Sequence, residues 1–491
     1  MNHHPNRQLP LLIAVAAALA AASPAAAQGQ TGQTSPASNQ PARSAPMSVP
    51  PGSFLGGVPS GEVKDGVETI TVVSAISRAL EHNLGVLTAE QNLGRAQGAR
   101  WRLLADLLPN ANGRVGETRQ TINLAAFGFG GGAGSPFGDI PTIVGPFNVF
   151  DARIFVSQSV LDFAALNGAR AEAHNLEAAR LMFRSARDYV IHVAGNLFVQ
   201  ALAASARADA ARAQAETART LHQQAIDLKQ GGLIAGIDVL RAEVQLSTQT
   251  QRATITANEF EKAKLMLARA IGLPLGQRFA LDPALPNLPT PDISIDGAVA
   301  LAYKTRPDYK AALERLSAAE ATRRSIVGEA LPAVKVDANF GEIGLSPADA
   351  RSTYAVTGAV RVPIFQGGRT RGRLLEADAD IRTRRAEAED LKASIYYEVR
   401  AAFLDLDATA RQLALAGKTR DLAGQQLTQA RDRFAAGVGN NIEVVQAQDA
   451  VAVATEQFIA AQYGFDLAKG ALVRGTGTSE DLLRQILGGS R

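Results

Sequence analysis

The sequence predicts a mainly α-helical protein with a small β part, built on two copies of one long helical hairpin. Three observations carry this. Proline is absent between Phe147 and Leu273 and again after Pro363. Because proline costs a helix interior about 3 kcal/mol, those two stretches are where very long helices can form. Both are rich in Ala, Arg, Gln, Glu and Leu, and both belong to an internal duplication.

The duplication emerges from three alignments. Ala75-Ile76-Ser77-Arg78-Ala79-Leu80 leads to Leu108-Pro109, and Ala298-Val299-Ala300-Leu301-Ala302-Tyr303 leads to Leu331-Pro332, at an offset of 223. Gly168, Glu172 and Ala173 match Gly372, Glu376 and Ala377 at 204, while Phe198 and Asp227 match Phe403 and Asp432 at 205. The difference, 223 − 204 = 19, falls between Pro109 and Gly168. A loop around Phe127 to Pro146 longer by that amount than its counterpart around Leu345 to Ser352 accounts for it.

Each copy reads as helix, strand, loop, strand, long helix, tight turn, helix. In the second copy Val334, Val336, Ala338 and Phe340 alternate with Lys335, Asp337, Asn339 and Gly341, and Val356, Val360 and Val362 share one side of the return strand. The first copy alternates poorly over Ala111 to Gln120. A second sheet or lipid would suit such an apolar face, with water on the polar side. The helical stretches, about Ala165 to Gln230 and about Arg369 to Ala436, would each extend roughly 100 Å at 1.5 Å per residue.

Along the first long helix Val190, Ala194, Leu197, Ala201, Ala204, Ala208, Ala211 and Ala215 alternate spacings of four and three. The second gives Ile395, Val399, Ala402, Leu406, Thr409, Leu413 and Ala416. This is a coiled-coil seam of mostly small residues, which lets neighbouring helices approach closely. The helices turn at Gly231-Gly232-Leu233-Ile234-Ala235-Gly236 and at Gly437-Val438-Gly439-Asn440-Asn441. Glycine tolerates the left-handed backbone that ends a helix.

The chain opens with His3, His4 and Arg7, an apolar run from Leu9 to Ala22, and Ala25-Ala26-Ala27 before Gln28, the order of a secretory signal peptide. A transmembrane anchor would need about 20 apolar residues. The expected organisation is a signal peptide over 1–27 and a flexible leader over 28–62 rich in Gln, Pro, Ser and Gly. A first repeat over 63–273, a linker over 274–296, a second repeat over 297–475 and a tail over 476–491 follow. No later run of about 18 uninterrupted apolar residues appears, so a membrane crossing would have to use strands.

The absence of cysteine excludes disulfides and cysteine-ligated metal. A net charge of +3 over 491 residues gives no electrostatic case for nucleic acid. His82, His174, His192 and His222 are scattered without a metal-binding spacing. The string Gly128-Phe129-Gly130-Gly131-Gly132-Ala133 runs into Gly134, Ser135 and Pro136 rather than a helix, so it reads as a surface loop and not a dinucleotide site. No cofactor, metal or catalytic constellation is expected, and an enzyme is disfavoured. Phe127, Phe129, Phe137, Phe147, Phe150 and Phe155 fit either an aromatic girdle at a membrane interface or packing of a long loop.

The segment "ARDRFAAGVGNNIEVVQAQDAV", the paired Leu-Pro helix ends and the "VRVPIFQGGRTRG" strand-to-helix junction resemble TolC-type outer-membrane efflux proteins, the outer membrane factors. The resemblance runs from about Thr69 to Arg474. It implies a homotrimer in the cell outer membrane, whose protomers each give four strands to one closed 12-stranded transmembrane β-barrel and their helices to an α-barrel through the periplasm. Physics favours an oligomer independently, because four strands cannot close a pore and open edges in lipid leave backbone groups unsatisfied.

The function implied is passive conduction for efflux or type I secretion, with a periplasmic adaptor (membrane fusion protein) and an inner-membrane transporter as partners. The resemblance makes Gly232, Leu233, Gly437 and Val438 the adaptor-docking tips, although the glycines would end helices in any case. It also makes Asp238 and Glu443, equivalent acids at an offset of 205, a cation-selecting ring at the periplasmic entrance. The same acids in a first helical turn would equally complement the helix dipole, by about 0.3 to 1 kcal/mol.

Phe434 stands where a tyrosine ties neighbouring hairpins in such proteins, Gly439 where an arginine does so, and Gln446 where a second acid sits. The expected gate here is therefore one of hydrophobic contacts around Phe434, together with Glu443. The alternative from another class is a periplasmic coiled-coil adaptor or scaffold without a pore. An adaptor should show one hairpin flanked by β-rich segments, whereas this hairpin is duplicated with a strand pair in each copy.

Overall fold

A computed structural model of the chain describes residues 51–124, 142–285, 293–436, 438–439 and 441–488. The expected signal peptide, the leader up to residue 50 and the glycine-rich string at 128–133 lie outside these residues. After a 3-10 turn at Pro51–Leu55, the first repeat runs through β1 (Glu68–Ile70), α1 (Val72–His82), α2 (Leu84–Ala105), β2 (Asn110–Asn123), β3 (Ile143–Leu161), α3 (Phe163–Gln230) and α4 (Gly236–Ala270). Then β4 (Phe279–Leu281) joins it to α5 (Ile295–Thr305), α6 (Pro307–Gly328), β5 (Ala333–Gly344), β6 (Arg351–Arg361), α7 (Arg369–Ala435) and α8 (Asn441–Gly475), and α9 (Ser479–Gly488) follows.

The duplication is therefore structural, with one correction. The single helix expected ahead of each strand pair is two helices, broken at the equivalent residues Asn83 and Arg306. Asn83 caps α2 by accepting from the Gly85 N–H at 2.9 Å, and its Nδ2 donates to the carbonyls of Phe54 and Ala270 at 2.8 and 3.1 Å. Arg306 precedes Pro307, and the proline ring drives the residue before it out of the α region. The guanidinium of Arg306, 6% exposed, is held by Asp308 and Glu398 at 2.6 Å each, and those partners raise its pKa despite the opposing cost of burial.

The long helices have 68 and 67 residues, roughly 100 Å each. Their burial concentrates where the short helices cross them. Ala75 and Ala79 of α1 pack with Val190 and Ala194 of α3, and the equivalent Ala298 and Ala302 of α5 pack with Ile395 and Val399 of α7. A methyl side chain at each crossing lets the backbones approach closely. The seam extends down α3 through Ala201, Ala204, Ala208 and Ala211, then through Ala218 and Ala225, while Ala215 is only half-buried. One helix among the described residues, α3, contains a stretch long and apolar enough to cross a membrane, and 44% of that stretch is buried against the rest of the chain.

Three segments read from composition as peripheral belong to this belt. The leader was expected to be free as far as residue 62, yet Phe54 is in the main core, with room for its ring because position 85 is glycine. The linker contributes β4, which pairs in parallel with β1 and buries Phe279. In the tail, α9 places Leu483 in the same core. There Glu480 pairs with Arg187 at 3.3 Å, and the Glu480 N–H donates to the Asp188 carboxylate at 3.2 Å. Sparse apolar composition hid these segments, because a few anchors rather than a periodic face hold them.

Burial, reinforced by repulsion from Glu480, pushes the Asp188 carboxyl up to about 6 from its ordinary 3.8. An acid raised in the folded state binds its proton more tightly folded than unfolded, so stability is greatest below about pH 4 and is lost as the pH rises to about 6. Asp188→Asn keeps the acceptor and removes the titration. Thermal melting of the purified protein between pH 4 and 7 should show wild type losing stability relative to this variant with rising pH. Parallel curves would exclude the effect.

Candidate channel wall and entrance

The sheet has the order β2-β3-β5-β6 with every neighbour antiparallel. Its strands have 14, 19, 12 and 11 residues, longer than the composition suggested and enough for a bilayer, which needs about 9 to 11. Part of the loop expected to end near Pro146 is strand, since β3 begins at Ile143. Among the described residues, β2 and β6 each have one edge without a strand partner.

Residues paired across antiparallel strands share a face. The register sets Val334 opposite Val360, Ala338 opposite Val356 and Phe340 opposite Tyr354, and continues through Val156 and Ile154 on β3 to Ala111 and Gly113 on β2, beside Val115. That face is apolar and uncovered: Tyr354 is 80% exposed, Val115 77% and Val356 69%. The opposite face carries Asn110, Asn112, Arg114, Asp151, Arg153, Ser157, Lys335, Asp337, Asn339, Thr353 and Thr357. Along β3, positions 151, 153, 155, 157 and 159 on the polar side are half-buried, while Ile154 and Val156 are exposed.

This inverts the rule for a sheet in water. It also explains why the first copy alternates poorly: glycine and alanine stand at apolar-face positions 111 and 113, and the pattern becomes legible only through pairing with β3. The phenylalanine cluster divides. Phe150 shares the apolar face, whereas Phe147 and Phe155 lie on the polar one, with the Arg153 guanidinium 5.3 Å from the Phe155 ring. Phe127, Phe129 and Phe137 lie outside the described residues.

At the other end, α3 turns into α4 within a few residues. Gly232 adopts φ +75°, which a side chain would resist, and the Leu233 N–H closes the turn on the Leu228 carbonyl at 2.9 Å. The second tip differs in that the capping position of α7 is Ala436, with Val438 N–H donating to the Arg433 carbonyl at 3.0 Å. Gly437 lies outside the described residues. Leu233 and Val438 are equivalent and project to solvent, 74% and 68% exposed.

Asp238 lies in the first turn of α4 and pairs with Arg241 at 3.0 Å. Glu443 lies in the first turn of α8, 3.5 Å from Arg433. The two acids thus occupy corresponding positions, each beside a local arginine that sequence reasoning overlooked. The i, i+3 spacing of Asp238 and Arg241 signalled the first. Phe434 is partly buried with Leu221 and Leu427 against Ala430, Val444 and Ala447.

Between the hairpins polar contacts stand beside the apolar packing of Leu221. Arg207 pairs with Glu456 at 2.7 Å and Gln245 donates to Asp449 at 2.8 Å, beside a cavity of about 220 Å³ lined by Gln214, Thr217, Gln249, Gln448 and Thr455. The outer helix faces keep apolar residues exposed, Leu404, Leu415 and Leu422 on α7 and Leu240, Val244 and Leu265 on α4. Among the described residues no group of three or more His, Cys, Asp or Glu side chains could hold a metal ion. His174 instead contacts Glu314 at 2.7 Å, and His192 contacts Asn196 at 3.0 Å.

Residues 298–478 match the outer membrane efflux protein family. The match spans the second repeat. No curated protein matches the chain by sequence. By fold, the Campylobacter jejuni CmeC outer membrane channel superposes with a TM-score of 0.72 at 15% identity, over 84% of this chain and 88% of that one. The Vibrio cholerae outer membrane protein VceC gives 0.70 at 18%, over 83% and 96%. The open state of the Neisseria gonorrhoeae MtrE outer membrane channel gives 0.67 at 17%, over 83% and 88%. The TolC-like fold read from the sequence therefore spans both repeats, helical hairpins and strands together.

The packing of Phe434 makes a local prediction. Phe434→Ala removes an anchor of the tip cluster and should accelerate amide exchange over 427–447, leaving protection near Phe198, which is fully buried at the belt, unchanged. Equal acceleration at both places would mean that the tip is not an independent unit.

Proposed function

We propose that the protein is the outer-membrane channel subunit of a tripartite efflux or type I secretion system, exported by the signal sequence at 1–27. The observation that carries this is the apolar, exposed face of a sheet whose two edges have no strand partner among the described residues. Lipid is the partner that face fits, and closure with the sheets of two further copies satisfies the edges. Three copies of four strands make a 12-stranded barrel, and the long helices continue it as a periplasmic tunnel. The exposed apolar residues of α4 and α7 provide the faces along which neighbouring protomers join.

Conduction is passive: the chain offers a path and no chemistry, so the energy comes from an inner-membrane transporter coupled through a periplasmic adaptor. Gly232, Leu233, Gly437 and Val438 form the docking tips. The gate lies at the same end, where the Phe434 cluster fastens the second hairpin. Asp238, half-buried beside Arg241, and the more exposed Glu443 beside Arg433 place two acids at this entrance, each with a basic neighbour. A coiled-coil adaptor without a pore would leave the apolar face of the sheet in water.

The mature protein should require detergent for extraction and give discrete conductance in planar lipid bilayers. Folded, inserted protein without conductance, both as wild type and as Phe434→Ala, would refute the channel. Leu233→Asp combined with Val438→Asp alters only exposed side chains, so folding should be unchanged, within about 0.5 kcal/mol. Efflux in cells should nevertheless be lost while conductance persists. Retained efflux would remove the tips from partner docking.

A further inference from the structure

We propose that the strand-lined section of the channel selects anions, and that the cargo passing it is anionic, of the carboxylate- or phosphate-bearing class. This rests on the channel reading above. The cross-strand register assigns each charged residue of the four strands between Asn110 and Gln120, Phe147 and Ser159, Ala333 and Ile343, and Arg351 and Arg361 to one or the other face of the sheet. On the apolar face the charges are Glu117, Arg119 and Glu342, all toward the end of the sheet far from the helices. The polar face, which lines the lumen when the apolar face meets lipid, carries Arg114, Arg153, Lys335, Arg351 and Arg361 against Asp151 and Asp337. Five basic groups against two carboxylates leave three positive charges per protomer, and nine around a trimeric barrel.

Local pairing makes the imbalance sharper. Asp151 is engaged by Arg153 through two hydrogen bonds, at 2.6 and 2.5 Å, and Asp337 lies 2.9 Å from Lys335. Both carboxylates on the face are thus taken. Arg114, Arg351 and Arg361 are exposed and have no carboxylate within ion-pair distance among the described residues. Their arrangement adds to the field. Arg114 stands directly opposite Arg153 in the register, and Arg351 is opposite Ile343, which in turn faces Asp151, so two of the three unpaired guanidinium groups lie at adjacent levels of the wall. Like charges directly opposite one another destabilise a strand pair. Arg361 stands near the helical end, opposite Ala333.

Rings of basic side chains in a polar lumen with low-dielectric walls raise the local concentration of anions over that of cations. The entrance does not offset this, because Asp238 and Glu443 each have an arginine beside them. Selectivity is therefore set in the strands, far from the acids that the sequence alone suggested.

The test is the reversal potential of the reconstituted mature trimer under a potassium chloride gradient. Wild type should reverse toward the chloride equilibrium potential. Arg114→Glu combined with Arg351→Glu should move the reversal several-fold toward potassium, and the milder Arg351→Gln should move it part of the way if the double variant does not assemble. Glu342→Gln, on the apolar face, should leave it unchanged. A conducting wild type that is cation-selective or unselective, or whose selectivity ignores Arg351→Gln and the double variant, overturns the anionic lumen while sparing the channel. Absence of any conductance from folded, inserted protein, both as wild type and as Phe434→Ala, overturns the channel reading itself, and the inference with it.

Discussion

A strand in hydrocarbon has no water to receive its edge N–H and carbonyl groups, and each group left unsatisfied costs several kcal/mol. The rest of the structure can be understood from that constraint. Four antiparallel strands with an exposed apolar face and, among the described residues, two edges without a strand partner are not a finished object. In the proposed channel further copies complete them, and closure would fix which face meets lipid and which meets water. The length of the strands, the half-burial of the polar positions on β3 and the placement of Glu117, Arg119 and Glu342 at the far end of the apolar face all follow the same partition.

Below the sheet the problem is different: helices of about 100 Å must remain straight and aligned with little core to hold them. The solution is local and doubled. Alanines of α1 and α5 seat against Val190, Ala194, Ile395 and Val399, so each long helix is pinned where a short one crosses it. The first crossing also gathers Phe54, Phe279 and Leu483 from segments that stand outside the repeat. Further down, the hairpins meet through Arg207–Glu456 and Gln245–Asp449, and near the tip through Leu221 packed into the cluster of Ala430, Val444 and Ala447.

The helical architecture was legible because its signals are long-range and redundant: the empty proline stretches, the offsets of 223 and 205, and the small-residue seam each imply the same hairpins. Their bounds fall within two residues of the observed α3 and α7. The second strand pair was legible from alternation at Val334 to Phe340. The first pair was not, because Ala111 and Gly113 occupy positions where an apolar face is maintained by the neighbouring strand. Phe54 and Leu483 escaped for the opposite reason, since a single anchor in a polar segment leaves no period to read. At the tips, sequence located Asp238, Glu443 and Phe434, but the partners Arg433 and Val444 depend on the turn that brings α8 back against α7.

The central claim is that the two faces of the sheet see lipid and water respectively, and the chain's lack of cysteine makes it directly testable. Single substitutions Val356→Cys, Thr357→Cys, Ala338→Cys and Asp337→Cys in the reconstituted protein would be exposed to a charged, membrane-impermeant thiol reagent and to a lipid-borne spin-label quencher. The account predicts alternation: positions 357 and 337 modified from water, positions 356 and 338 protected from the reagent and quenched from the lipid. Uniform modification of all four positions, or the reverse alternation, would contradict it.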